Sequence, residues 1–132
     1  MHPPISQSIT FTYTDDLAAG STFFGEVMEL ELVLDQGPCH IYRLTDDSFL
    51  GVCSLPDRPR DAAGVTITIV SDDVDGWHRF LTEKGVQYVH DPAPSSRFGI
   101  YSSLFLSPDG YRIEIQRFDD PSWHQGGGGH GR

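Results

Sequence analysis

Apolar and polar residues alternate over residues 8–14, with Ile9, Phe11 and Tyr13 on one side, and the alternation returns over residues 65–70. Each run meets an aspartate pair, Asp15-Asp16 or Asp72-Asp73, and then apolar residues at helical spacing. Period-two alternation predicts a strand, and an aspartate before a helical pattern predicts an N-cap. The first helix is expected to run to about Met28, with Leu17, Phe23, Phe24 and Val27 on its apolar side. The second is expected to end near Lys84, with Gly85 as the C-cap because glycine tolerates the left-handed backbone there. Further strands are predicted at residues 31–34, 39–44 and 49–54, and then at 87–90, 100–106 and 111–118. Thr45-Asp46-Asp47-Ser48 and Ser107-Pro108-Asp109-Gly110 supply hairpin turns, while residues 91–96 read as a loop. The order is β-α-β-β-β, twice, at an offset of 73 − 16 = 57 residues between Asp16 and Asp73. Two copies are too few for a solenoid. The pattern predicts an α+β fold of two tandem βαβββ modules in a single domain, residues 5–120, with half-modules at about 5–56 and 62–120. Residues 56–61 link the halves, and the Gly-rich residues 121–132 are expected to form a flexible C-terminal tail.

Charge narrows the partners. Nine Lys and Arg face 19 Asp and Glu, a net charge of −10 over 132 residues. Nucleic acid needs clustered cations, so it is not an expected partner. The acidity serves solubility, with a lean toward a cationic ligand. No apolar run is long enough to span a membrane and no signal peptide opens the chain, so a cytoplasmic protein without a membrane partner is expected. Cys39 and Cys53 cannot build a disulfide framework, and in a reducing cytosol both are expected as free thiols. His40 is placed across the hairpin from Cys53, a pair able to bind metal or serve a nucleophile. Against that stands the usual role of an isolated cysteine as a small buried hydrophobe. No phosphate loop, serine-hydrolase elbow or dinucleotide fingerprint occurs.

The stretch Ser107-Pro108-Asp109-Gly110-Tyr111-Arg112-Ile113-Glu114-Ile115 resembles the last hairpin of the vicinal oxygen chelate superfamily. Its members include glyoxalase I, extradiol dioxygenases, fosfomycin-resistance enzymes and bleomycin-resistance binding proteins. Asp15-Asp16-Leu17…Phe23-Phe24 and Asp72-Asp73-Val74-Asp75…Gly85-Val86 support the resemblance, which covers about residues 5 to 120. It implies that each half curls into a partial barrel, that the halves enclose a ligand cup, and that a homodimer is to be expected. Enzymes of the superfamily hold a divalent metal (Zn, Ni, Fe or Mn) with His or Gln on the first strand of each half and Glu or His on the last. The metal polarises neighbouring substrate oxygens. Here Glu114 matches the carboxylate of the last strand. The other places fall on Ser8 or Ile9, on Val65 or Thr66, and on Val52 with Cys53 as the nearest polarisable neighbour. One ligand of four remains, so no metal cofactor is expected, with an altered divalent site as the alternative.

If Glu114 faces the cup, alternation brings Arg112, Gln116 and Phe118 to the same side. The hairpin register is expected to set Tyr101, Ser103 and Phe105 opposite them, completing a wall for a small, aromatic organic ligand. Arg97 and Phe98, in the loop before that strand, suggest a lid. The resemblance then implies a metal-free binding protein of the bleomycin-resistance type, acting by antibiotic sequestration. The alternative is a glyoxalase-like lyase, isomerase or dioxygenase, with Glu114 in an altered metal site or acting as a base.

Overall fold

Both aspartate pairs open helices. In the computed structural model, which describes residues 1–62 and 64–123, Asp16 Oδ1 accepts from the Ala19 amide at 3.1 Å and starts α1 (Leu17–Thr22). Asp73 Oδ1 accepts from the Gly76 amide at 2.8 Å and starts α2 (Val74–Glu83). The strands are β1 (Ser8–Tyr13), β2 (Glu31–Asp35), β3 (Cys39–Thr45), β4 (Ser48–Cys53), β5 (Thr66–Val70), β6 (Tyr88–Ser95), β7 (Ile100–Leu106) and β8 (Arg112–Phe118). They form two open four-stranded sheets, ordered β1-β4-β3-β2 and β5-β8-β7-β6, and neither closes into a barrel. The tandem βαβββ modules are therefore present. The reading of a flexible tail falls mostly on residues 124–132, outside the described residues.

The chain divides into two compact units, Met1–Val65 with Leu106–Arg112, and Thr66–Phe105 with Ile113–Arg132. In the first, β1 runs parallel to β4, and Phe24, Met28, Leu50 and Val52 are buried. The second buries Val74 and Leu81, seven residues apart on one face of α2, with Phe105, Ile113 and Ile115. Gly85 ends α2 with φ 91°, and the Val86 amide reaches back to the Leu81 carbonyl at 3.0 Å, the six-to-one bond that closes a helix.

The hairpin tip Ser107–Tyr111 completes the first unit. Thr14 Oγ1 donates to Asp109 Oδ1 at 2.9 Å, and the Tyr13 amide donates to the Tyr111 hydroxyl at 3.0 Å. Gly110 takes φ 87°, a backbone that other residues adopt only with strain. Asp109, Gly110 and Tyr111 of the motif that carried the family resemblance thus each have a local task.

Three expectations need correction. The first helix does not continue as an α-helix to Met28: after Thr22 it widens into a π turn, Phe23–Val27, with the Met28 amide bonded to the Phe23 carbonyl at 3.0 Å. A side chain at Gly25 would lie 3.1 Å from Tyr42 Cε1, so the widened turn and the glycine together admit the Tyr42 ring. Strand β6 extends through Pro92 and Pro94 to Ser95, where a loop was predicted. It is an edge strand with two register irregularities, the setting in which a sheet tolerates proline. Finally, Cys39 and Cys53 are not free thiols but a disulfide. They are direct register partners on β3 and β4, and this facing position overrides the inference drawn from compartment. His40 stands opposite Val52 and does not pair with Cys53. Among the described residues, no helix is long and apolar enough to cross a membrane.

Candidate functional site

Ile113 and Ile115 are fully buried, and Glu114 between them points to the other side of its sheet, where its Oε1 accepts from Thr68 Oγ1 at 2.9 Å. Alternation along β8 places Arg112, Gln116 and Phe118 on the Glu114 side. Trp123, in the turn that follows β8, stacks on Phe118 at 4.0 Å and 17°. Sequence reasoning missed Thr68. The signal was there, since Thr66 and Thr68 are the polar positions of an alternating strand next to β8.

The other proposed wall lies elsewhere. The Tyr88 ring meets His78 of α2 at 4.6 Å and its register partner Phe105 at 5.2 Å. The Tyr101 hydroxyl donates to Asp75 of α2 at 2.7 Å, with the Arg117 guanidinium 4.4 Å above the Tyr101 ring. Tyr101, Ser103 and Phe105 therefore share the α2 side with Ile113 and Ile115 and do not face the Glu114 row. Ser103 and Phe105 are fully buried there. The hydrogen bond to Asp75 raises the Tyr101 phenol above its ordinary value. Burial pushes Tyr88 up to about 12, with Ser103 opposing the shift. The Tyr88 hydroxyl is nevertheless buried without a partner in proper hydrogen-bond geometry among the described residues.

Arg97 and Phe98 occupy the tight turn between β6 and β7, the guanidinium 5.0 Å from the ring centre, with Phe98 exposed. Gly99 takes φ 63°, and its carbonyl accepts from the Asp119 and Asp120 amides at 2.7 and 3.1 Å. The turn is thereby tied to the segment after β8 that carries Trp123. Hydrogen bonds from the Ser122 side chain and amide hold the Asp120 carboxyl below its usual range.

One backbone bond, made in both halves, gives their exact correspondence a physical basis. The Thr14 amide donates to the Cys53 carbonyl at 2.9 Å, and the Ser71 amide donates to the Gln116 carbonyl at 2.9 Å. Thr14 thus answers to Ser71 and Cys53 to Gln116. Stepping back along the strands, Phe11 answers to Thr68 (68 − 11 = 71 − 14 = 57) and Gly51 to Glu114 (114 − 51 = 116 − 53 = 63). Phe11 and Gly51 are register partners, and the Phe11 ring lies where a Gly51 side chain would have to go. Val52, expected to match Glu114, instead faces α1: a side chain on Gly20 would come within 2.8 Å of its Cγ2. The first hairpin closes with Thr45 opposite Ser48, whereas the second closes with the Ser107 amide on the Tyr111 carbonyl, so the second turn is one residue longer and aligning the two turns displaces the match by one position.

The donor set does not fit the superfamily's divalent metal. The relevant positions hold Ser8 or Ile9, Val65 or Thr66, Gly51 and Glu114, which amounts to one carboxylate. Among the described residues, no group of three or more His, Cys, Asp or Glu is arranged to hold a metal ion.

The family described as the Glyoxalase/Bleomycin resistance protein/Dioxygenase superfamily matches residues 8–115. No curated protein sequence matches. Among solved structures, a lactoylglutathione lyase from Agrobacterium tumefaciens is similar at TM-score 0.71 and 21% identity, covering 92% of this chain and 100% of that one. A glyoxalase/bleomycin resistance protein/dioxygenase from Nocardioides is similar at TM-score 0.75 and 15% identity, covering 96% and 92%. A glyoxalase/bleomycin resistance protein from Catenulispora acidiphila is similar at TM-score 0.69 and 18% identity, covering 84% and 96%. At these identities the likeness to solved structures concerns the fold.

Proposed function

Because this chain belongs to the glyoxalase/bleomycin resistance protein/dioxygenase superfamily, we propose that it is a small-molecule-binding protein of the metal-free, sequestering kind. Its ligand is a small organic molecule with an aromatic part and a hydrogen-bond donor or positive charge. The observation that carries this reading is the Thr68–Glu114 pair set against the Phe11–Gly51 pair. The family's carboxylate is present in one half, while the answering place in the other half has no side chain to ligate anything. Glu114, with its orientation fixed by Thr68, accepts from the ligand; Arg112 and Gln116 supply polar contacts, and Phe118 with Trp123 supplies a stacking surface. Arg97 and Phe98 border this surface as a lid.

Binding alone suffices for resistance by sequestration, so this reading needs no catalytic group. The carboxylate at the family's position favours the enzyme alternative, a lyase, isomerase or dioxygenase whose altered divalent site includes Glu114. Elemental mass spectrometry after incubation with Ni, Zn, Co, Mn and Fe(II), followed by desalting, separates the two. Background metal is the expected result, and one tightly held ion per chain would move the reading to the enzyme. For a ligand found by screening aromatic natural products, Glu114→Gln should weaken binding about tenfold or more, the worth of a charge-assisted hydrogen bond. Unchanged affinity would remove Glu114 from the site.

A further inference from the structure

A second cluster, confined to the first unit and independent of the Glu114 row, has an arrangement suited to different chemistry. Alternate residues of β3 share a face, so His40 stands beside Tyr42 on the α1 side. There Ser21 Oγ lies 2.7 Å from His40 Nδ1, and His40 Nε2 lies 3.3 Å from Asp35 Oδ1, its register partner on β2. A carboxylate at Nε2 keeps the ring proton on that nitrogen, which leaves Nδ1 as an acceptor and makes Ser21 the donor. The Tyr42 hydroxyl touches Ser21 Oγ and reaches the Ser21 carbonyl at 3.1 Å. Ser21 and Tyr42 also line an open cavity of about 500 Å³, with Ala18, Leu30 and Leu32 as its apolar wall. That volume falls in the range of small-molecule sites, roughly 300–1,000 Å³.

We propose that Ser21, His40 and Asp35 form an acyl-transfer site for small esters with a short apolar acyl group. Ser21 is the nucleophile, His40 the general base and Asp35 a positioning residue, a chain of roles recognised by geometry and not by sequence motif. As Oγ bonds to the ester carbonyl carbon, its proton passes to His40 Nδ1. Collapse of the adduct breaks the bond to the alcohol oxygen, and the alcohol leaves with that proton. Water then repeats both steps on the acyl-serine, releasing the carboxylic acid and restoring Ser21. The Tyr42 hydroxyl, beside Oγ on the cavity wall, is the donor for the negative charge that develops on the carbonyl oxygen. A hydrogen-bonded tie between helix and sheet would make the same ground-state contacts but would not acquire an acyl group.

Incubation of the full chain with p-nitrophenyl acetate, read by nitrophenolate release and by peptide mass mapping, tests the proposal. The expected result is one acetyl group per chain, on Ser21, with turnover. Ser21→Ala should abolish both, and His40→Gln should slow acylation at least about 100-fold, the usual worth of a general base. Asp35→Asn should lower kcat and leave KM unchanged, with partial recovery in Asp35→Glu, a split that loss of a merely structural contact would not produce. Acetylation at any other residue, no acetylation, or nitrophenolate release undiminished in a folded Ser21→Ala protein would overturn it. Should Ser21→Ala fail to fold, Ser21→Cys decides: a thioester at position 21 supports the site and its absence refutes it.

Discussion

The two halves make the same backbone bond after their first strand, Thr14 to Cys53 and Ser71 to Gln116, yet fill the sheet face below it in opposite ways. In the second half a hydroxyl meets a carboxylate, Thr68 and Glu114. In the first a phenyl ring, Phe11, lies over Gly51. On the helix side the halves agree: Leu50 and Val52 answer to Ile113 and Ile115, and all four are fully buried. Packing between helix and sheet favours apolar side chains and admits a polar one only with a partner, as for Ser103 and Thr12, because a buried polar group without one is costly. The opposite face is under no such demand and carries the chemical difference between the halves.

Removing the disulfide should break the comparison most, because the second half contains no cysteine. Cys39 and Cys53 are 14 residues apart, and opening a loop of that length costs about 3 kcal/mol in the chain-entropy account. Urea unfolding with and without reductant measures it, and Cys39→Ala/Cys53→Ala should match the reduced protein. Importing the second half's chemistry comes next. Gly51→Glu drives a side chain into the Phe11 ring and should destabilise by about 2 kcal/mol, as overpacking does. Adding Phe11→Thr recreates the Thr68–Glu114 pair and should recover at least half of that loss. A double-mutant cycle with no coupling would break the proposed correspondence.

Smaller effects sharpen it. Asp16→Ala and Asp73→Ala should each cost about 1 kcal/mol as lost N-caps, and clearly unequal losses in thermal melts would show that the two caps are not equivalent. Tyr88 adds a pH dependence confined to the second half. Its phenol is raised from 10.0 to about 12 in the folded state, so its contribution is complete below pH 10 and is lost as the pH rises toward 12, where the unfolded chain ionises first. Tyr88→Phe should flatten the alkaline fall in stability over that window, without loss at neutral pH; an unchanged slope would exclude Tyr88 as its source.

The elements were legible wherever one side of the pattern was unambiguous. Ile113 and Ile115 around Glu114 identify the two faces of β8, and Asp16 and Asp73 mark both helix starts. Strand β7 was not legible in the same way. Ile100, Tyr101, Leu104 and Phe105 put apolar residues at both parities, so alternation cannot say which set faces α2. The Val52 error has another cause: the second hairpin turn is one residue longer than the first, and a one-residue slip in alignment moves every side chain to the opposite face. The Ser21–His40–Asp35 cluster was hidden because its members form no motif and meet only through the β2–β3 register and the packing of α1.

The hairpin tip has a consequence for how the chain is made. Its bonds to Thr14 and Tyr13 span 95 and 98 residues, so the first unit reaches completion only after Tyr111 has been synthesised. Domains ordinarily mature in the order in which they leave the ribosome. Here the first unit gains these contacts only from a turn encoded near the other end, and in the meantime Tyr13 and Thr14 stand without these partners. Translation is vectorial, but the closure of this fold is not.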